Sequence, residues 1–236
     1  MTRSTSMPPA FEIHRVAERA LLVRFLDDDL ARAVARSSAV FSFLSRPPDM
    51  DADGHGESVD QQKISRRAEW IPGAGNLLLR VEDSAADAQV RLEDFLRTFP
   101  FRGAAPGGRS VEATVRFGGP DGEDLPAVAR ETELSEAEVV ARLCGAELTV
   151  AFVGFSPGFP YLVGLPPELE VPRLAKPRTK VPAGSVAIAG PFAGIYPAAT
   201  PGGWRLVGRT DLALFDATSS PPAFLAPGDR IRFVAG

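Results

Sequence analysis

The chain has one cysteine, Cys144, two histidines, His14 and His55, and three lysines, Lys63, Lys176 and Lys180, among 236 residues. A single cysteine excludes an intramolecular disulfide and fits a reducing compartment, so a cytoplasmic setting is expected. Both histidines fall early in the chain, which excludes a zinc site built mainly from histidine and cysteine, and no metal is expected. The phosphate-loop pattern G-x-x-x-x-G-K-[ST] is absent, so this chain alone is not expected to bind a nucleotide in that way. Positive charge is also in short supply. The 26 Lys and Arg against 30 Asp and Glu leave a net charge of -4, whereas a nucleic-acid partner calls for a basic surface that displaces counterions. No apolar run approaches the roughly 20 residues that cross a bilayer, which excludes a membrane span. Residues 1–11 have no apolar segment of the kind a secretory signal needs. What is present, 44% hydrophobic and 24% charged residues, is the balance of a globular protein with one large or two small domains.

Residues 10–102 read as a small two-layer α+β domain. The run ALLVRFL (20–26) predicts a buried strand. Asp27, Asp28 and Asp29 then precede helical spacing over 30–44, and acidic residues suit a helix start more simply than a magnesium site. Residues 46–67 are polar, open on two prolines and mix charges, which predicts a mobile surface loop with His55 as a solvated histidine. Strands are expected at 68–71 and 77–81, joined by the turn-forming PGAGN. Ser84 is placed to cap a helix through Phe99, on which Leu92, Phe95, Leu96 and Phe99 make one apolar stripe. Nothing in this half has the pattern of a catalytic site.

GAAPGGR (103–109) reads as a linker, and residues 110–236 as a β domain. Strands are expected at 111–117 and 147–153. Between them a short helix starts from Leu134, with Ser135 and Glu138 in the capping-box arrangement. From residue 151 onward the chain holds half of all the glycines and more than half of the prolines. Short apolar strands at 185–189, 204–207, 213–215 and 230–234 lie between the turns. This is the pattern of a closed β architecture whose loops are stiffened by proline and can build a ligand site at a barrel mouth.

Three motifs in this half bear on chemistry. Gly154-Phe155-Ser156-Pro157-Gly158 matches G-x-S-x-G, but Pro157 lacks the N–H an oxyanion hole would use. Two prolines also obstruct the helix that should follow, and no histidine lies downstream as a base. Serine hydrolysis through Ser156 is set aside. Arg173, Lys176, Arg178 and Lys180 fall within eight residues held between Pro172, Pro177 and Pro182. Such a segment is either a preorganised anion site, since arginine forks match carboxylate or phosphate, or a solvated basic loop. Trp204 follows Gly202 and Gly203, with Arg209 close behind, and reads equally as a ligand wall or a core tryptophan.

The strings VGFSPGFPYLVGLP (153–166), PRLAKPRTKVPAGSVAIAG (172–190), GIYP (194–197) and TPGGWRLVGRT (200–210), with PGDRIRF (227–233) closing the chain, resemble the allophanate hydrolase subunit 1 family, which includes the B subunit of 5-oxoprolinase and the kinase inhibitor KipI. The resemblance covers residues 110–236 strongly and the N-terminal half weakly. It implies a small N-terminal α/β domain followed by a cyclophilin-like β-barrel domain. It also implies pairing with a homologous C-type chain (allophanate hydrolase subunit 2) and, with a lactam-binding A-type chain, ATP-dependent opening of 5-oxoproline to glutamate. ATP belongs to that complex, and no cofactor is expected on this chain alone.

On this reading Arg173, Arg178, Lys180 and Arg209 would bind substrate or an anionic group. Phe155, Pro157, Gly158, Phe159, Ser185, Tyr196, Gly202, Gly203 and Trp204 would line the pocket, with the glycines allowing close backbone approach. No nucleophile is identified. The chain departs from the family pattern at Leu143, where a histidine is expected, at Phe192 in place of a glutamine, and at Phe117 and Leu148 in place of tyrosines. Each departure removes a polar group. Two alternatives follow: a non-catalytic inhibitor that binds a histidine kinase, and a diverged carboxyltransferase-type enzyme acting on another amide.

Overall fold

In the computed structural model, alternation of apolar and polar side chains builds the first sheet. The structure describes residues 11–26, 68–73, 76–81, 84–98 and 108–236. Strands β1 (Phe11–Ala17), β2 (Ala20–Phe25), β3 (Ala68–Gly73) and β4 (Asn76–Val81) pair antiparallel in the order β1-β2-β4-β3. On β2 every second residue, Leu21, Val23 and Phe25, is at most 5% exposed, and Leu77 and Leu79 of β4 join them; one face of the sheet is thus apolar. Helix α1 (Ala85–Thr98) covers that face with Ala85, Ala88, Leu92 and Leu96. Burying one leucine of this kind contributes about 1.5–3 kcal/mol. The Ser84 hydroxyl accepts from the Asp87 backbone N–H at 3.4 Å, capping the helix as expected. Strand β1 is an addition to the sequence reading. Its hairpin with β2 turns at Glu18 and Arg19, residues without turn chemistry. The helix expected over 30–44, the loop over 46–67, Phe99 and residues 103–107 lie outside the described residues.

Clustering of contacts divides the chain into Met1–Pro106 and Gly107–Gly236. The second unit is a closed barrel, in the order β10-β7-β6-β13-β5-β12-β9. Its strands are β5 (Ser110–Phe117), β6 (Leu148–Val153), β7 (Pro160–Val163), β9 (Ser185–Ala189), β10 (Phe192–Ile195), β12 (Arg205–Arg209) and β13 (Arg230–Ala235). A separate ribbon pairs β8 (Arg178–Val181) with β11 (Thr200–Gly202). This is the cyclophilin-like architecture that the resemblance implies, and with the first unit it makes an α+β protein.

The barrel closes through a parallel pairing of β13 with β5, Arg230 opposite Ser110. A buried carboxylate organises that seam. Asp229 is 4% exposed and accepts from the Arg109 backbone N–H at 2.9 Å, the Ala226 N–H at 3.0 Å and the Arg109 guanidinium at 3.1 Å. Two helices precede β6. Helix α2 (Leu125–Glu131) is unforeseen, although Asp124 and Pro126 mark a helix start in the sequence; Asp124 makes no capping bond. Helix α3 (Glu136–Gly145) has both bonds of the expected capping box between Ser135 and Glu138. The strand expected over 213–215 is not formed. Phe215 makes only an isolated bridge with Ala223, within a loop tied by Phe224 N–H to Leu214 O.

Strand alternation sorts the apolar side chains of the barrel onto two faces. Val150, Leu162, Val186, Ile188, Ala193, Ile195, Val207, Ile231 and Phe233 fill the interior, with Val128, Val139 and Leu143 from α2 and α3. The intervening residues Ala187, Ala189 and Leu206 point the other way, into a second cluster with Phe159, Val181, Tyr196 and Trp204 on the outer face.

Candidate functional site

The loop between β6 and β7 is the most constrained backbone near that outer cluster. Phe155 adopts φ +68°, and the Ser156 N–H donates back to Gly154 O at 2.8 Å, a γ-turn of the rare positive-φ kind. The next turn carries Pro157 and Gly158 (φ +78°), and Phe159 N–H closes it on Ser156 O at 3.0 Å, the residue pattern of a type II turn. The outcome is to push Phe155 out, 65% exposed, and Phe159 in, 1% exposed. The Ser156 hydroxyl is buried with no hydrogen-bond partner, and so has no base. Gly158 leaves no space for a ligand: a Cβ there would lie 2.7 Å from Phe215 Cβ and 2.9 Å from Leu214 O.

Around Phe159 the outer face is aromatic. Its ring meets Tyr161, Tyr196 and Trp204 edge-on, with centroids 5.2, 5.1 and 5.5 Å away. Tyr161 stacks on Phe152 at 4.2 Å and meets Phe192 edge-on at 5.7 Å. Two glycines make room for these rings. A Cβ on Gly194 would sit 2.9 Å from Phe159 and 3.0 Å from Trp204, and one on Gly202 would sit 2.4 Å from the Tyr196 hydroxyl. Tyr196, 2% exposed, and Ser185, 2% exposed, are enclosed by protein. Burial pushes the Tyr196 pKa up, with the nearby Trp204 backbone opposing the shift. Tyr161, Phe152 and Phe192 stay half-buried and form a shelf.

The sequence groups Arg173, Arg178, Lys180 and Arg209 as one basic set, and the structure distributes them. Arg178 is committed: Nε lies 2.8 Å from Glu123 and Nη2 2.9 Å from buried Asp124, whose other oxygen accepts from Leu206 N–H at 2.7 Å. One cation between two carboxylates is a poor anion receptor. Arg209 donates to Ala183 O at 3.1 Å and lies 3.8 Å from Asp121. Lys180 is exposed and shares a side of β8 with Arg178 by alternation. Arg173 alone joins the aromatic cluster, its guanidinium carbon 5.8 Å from the Trp204 ring centroid. Arg173, Lys176 and Lys180 have no ion-pair partner among the described residues. Gly203 packs against Pro177 at 3.5 Å from its would-be Cβ.

Three of the four departures from the family pattern are packing positions. Leu143 and Leu148 are 0% exposed in the barrel interior, and Phe117 packs against that core. Only Phe192 reaches the outer shelf. Elsewhere, a groove of about 360 Å³ runs along Ser110, Glu112, Glu147, Arg230 and Arg232. Of its charges, Glu112 and Arg232 neutralise one another at 2.8 Å. Among the described residues no group of three or more His, Cys, Asp or Glu side chains could hold a metal, and no helix is long and apolar enough to cross a membrane.

A cyclophilin-like barrel with a two-layer α/β companion defines the class. The family described as carboxyltransferase domain, subdomain C and D, matches residues 11–225. The chain belongs to that family, which takes in the B subunit of 5-oxoprolinase. It is 47% identical over 169 residues to the 5-oxoprolinase B subunit of Escherichia coli, covering 70% of this chain and 77% of that protein. The 5-oxoprolinase B subunit of Bacillus subtilis is 47% identical over 126 residues, covering 53% of this chain and 52% of its own length. The solved structure of TTHA0988 aligns with a TM-score of 0.70 at 34% identity, over 93% of this chain and 40% of that one. The chain thus spans well under half of that solved relative and about half of the Bacillus protein.

Proposed function

We propose that this chain is the B-type component of an amidohydrolase complex that opens 5-oxoproline to glutamate at the expense of ATP, acting with a C-type partner and a lactam-binding A-type chain. The observation that carries this reading is the 47% identity with the Escherichia coli 5-oxoprolinase B subunit over 169 residues. The working surface is the outer aromatic face of the barrel, where rigid proline-bearing loops hold a half-buried shelf beside an unpaired arginine. ATP is handled elsewhere in the complex.

Burial of Leu143 and Leu148 supports this reading over the kinase-inhibitor alternative. These apolar residues fill the barrel core, so their lack of polar groups is no sign of lost chemistry. The reading is tested by co-expressing the tagged chain with its A- and C-type neighbours and assaying glutamate release. Recovery of a C-type partner, and ATP-dependent release that stops when this chain is omitted, is the expected outcome. Release that continues without the chain, or recovery of a histidine kinase in place of the partner, would overturn it.

A further inference from the structure

We infer that Arg173, seated beside the Trp204 ring at the border of the outer aromatic face, recognises the carboxylate of a small ring-bearing acid whose ring lies on the Tyr161–Phe192–Phe152 shelf. This rests on the function proposed above, which makes 5-oxoproline the acid concerned.

The backbone at residue 173 is held in place by its neighbours on both sides, while the side chain is exposed. Pro172 fixes its own φ, and its carbonyl accepts from Arg205 Nε at 3.0 Å. Leu174 N–H donates to Gly203 O at 2.7 Å. Residue 173 is therefore pinned against the segment that carries Trp204, and the ring contact limits the side chain further. Arg205, which holds Pro172, is itself paired with Glu131 at 2.7 Å, so the support is internal.

Charge singles out the same residue. Asp124, Glu123 and Asp121 take up Arg178 and Arg209, and Glu131 takes up Arg205. Arg173 has no carboxylate within ion-pair distance among the described residues, and its positive field reaches the Tyr161 and Tyr196 hydroxyls. Tyr196 is buried, whereas the half-buried Tyr161 has no hydrogen-bond partner among the described residues. A fork of N–H donors at the border of a half-buried aromatic shelf matches a carboxylate attached to a flat ring. The backbone on both sides of the arginine is fixed, so only its exposed side chain is ordered when a ligand arrives.

The test uses Trp204 as reporter, since Trp70→Phe leaves it as the sole tryptophan. In that background, 5-oxoproline, 2-pyrrolidinone (the same ring without the carboxylate) and inorganic phosphate are titrated against the chain alone, and the complex with the A- and C-type chains is used for turnover. A saturable change in Trp204 emission is expected with 5-oxoproline, at least tenfold weaker with 2-pyrrolidinone and with phosphate. Arg173→Ala should weaken 5-oxoproline binding at least tenfold, Arg173→Lys should recover part of that loss, and Tyr161→Phe should cost a few-fold. In the assembled complex, Arg173→Ala should raise KM for 5-oxoproline by the same factor, with kcat within twofold.

Equal binding of 2-pyrrolidinone, equal binding of phosphate, or an Arg173→Ala variant with unchanged affinity and KM would each overturn the assignment. A wild-type complex that opens 5-oxoproline normally while Arg173→Ala changes nothing refutes Arg173 alone. A complex that neither binds nor opens 5-oxoproline refutes the proposed function and the assignment with it.

Discussion

The same seven strands carry two apolar clusters of different composition. The inner cluster is mostly Val, Leu, Ile and Ala, with Phe233 as its one fully buried aromatic ring among the described residues. The outer face buries Phe159, Tyr196 and Trp204 together, borders on Tyr161 and Phe192, and has a guanidinium at its edge. Aliphatic side chains without polar atoms specify a fold and little else. Rings with hydroxyl and N–H groups on a partly open face can also meet a ligand. On the proposed reading, function in this barrel belongs to the outer face and stability to the inner one, a division that substitutions can probe.

The largest effect is expected inside. Leu143→His places an imidazole in a fully buried aliphatic position and should cost about 3–5 kcal/mol, read by chemical denaturation, with no gain of turnover. A stable variant with new activity would make Leu143 part of a site. Asp124→Ala removes the carboxylate that serves both Leu206 N–H and Arg178. It should cost about 2–4 kcal/mol because a buried donor and a cation lose their acceptor. Gly194→Ala forces a methyl into the Phe159 and Trp204 rings and should cost about 1–3 kcal/mol, with a shift in Trp204 emission that interior substitutions leave unmoved. Phe155→Gly relieves a positive φ and should raise stability by about 0.5–1 kcal/mol in a thermal melt, while removing an exposed ring.

The smallest effect concerns the surface. Arg116 donates to both Asp211 and Asp121, and it holds the Asp211 carboxyl below the usual carboxylate range. A carboxyl whose pKa is lowered on folding stabilises the native state above its unfolded pKa and loses that contribution as pH falls through the folded one. Asp211→Asn should therefore leave stability at acid pH unchanged and lower it slightly near neutrality, in melts run across pH.

Much of the fold was legible because local signals agreed with it. The capping box of Ser135 and Glu138, the stripe of α1, the alternation of β5 and the short apolar run of β9 are each written within a few residues. What escaped depends on distant partners. Helix α2 follows Asp124 and has Pro126 in its first turn, a start signal present in the sequence, but the carboxylate serves Leu206 and Arg178 in place of the cap. The run 213–215 looks like a strand, yet Phe215 and Leu214 are needed against Gly158 and have no ladder to join. The site was legible only as composition. Four nearby cations resemble one anion site, but the carboxylates that take up Arg178 and Arg209 lie 54 to 88 residues away in sequence, at Asp121, Glu123 and Asp124. Tyr161 passed unnoticed because a tyrosine in a short strand has no signature until its neighbours are in place.

The most direct test of this division is hydrogen exchange by mass spectrometry on the assembled A-, B- and C-type complex, with and without 5-oxoproline. If the outer face is the working face, 5-oxoproline should slow exchange in 172–177 and 198–204, the segments that carry Arg173 and Trp204, and leave the amides of helix α3, whose Val139 and Leu143 pack on the inner cluster, unchanged. Protection confined to α3 or to the Ser110–Arg232 groove, in a complex that turns over, would contradict the account.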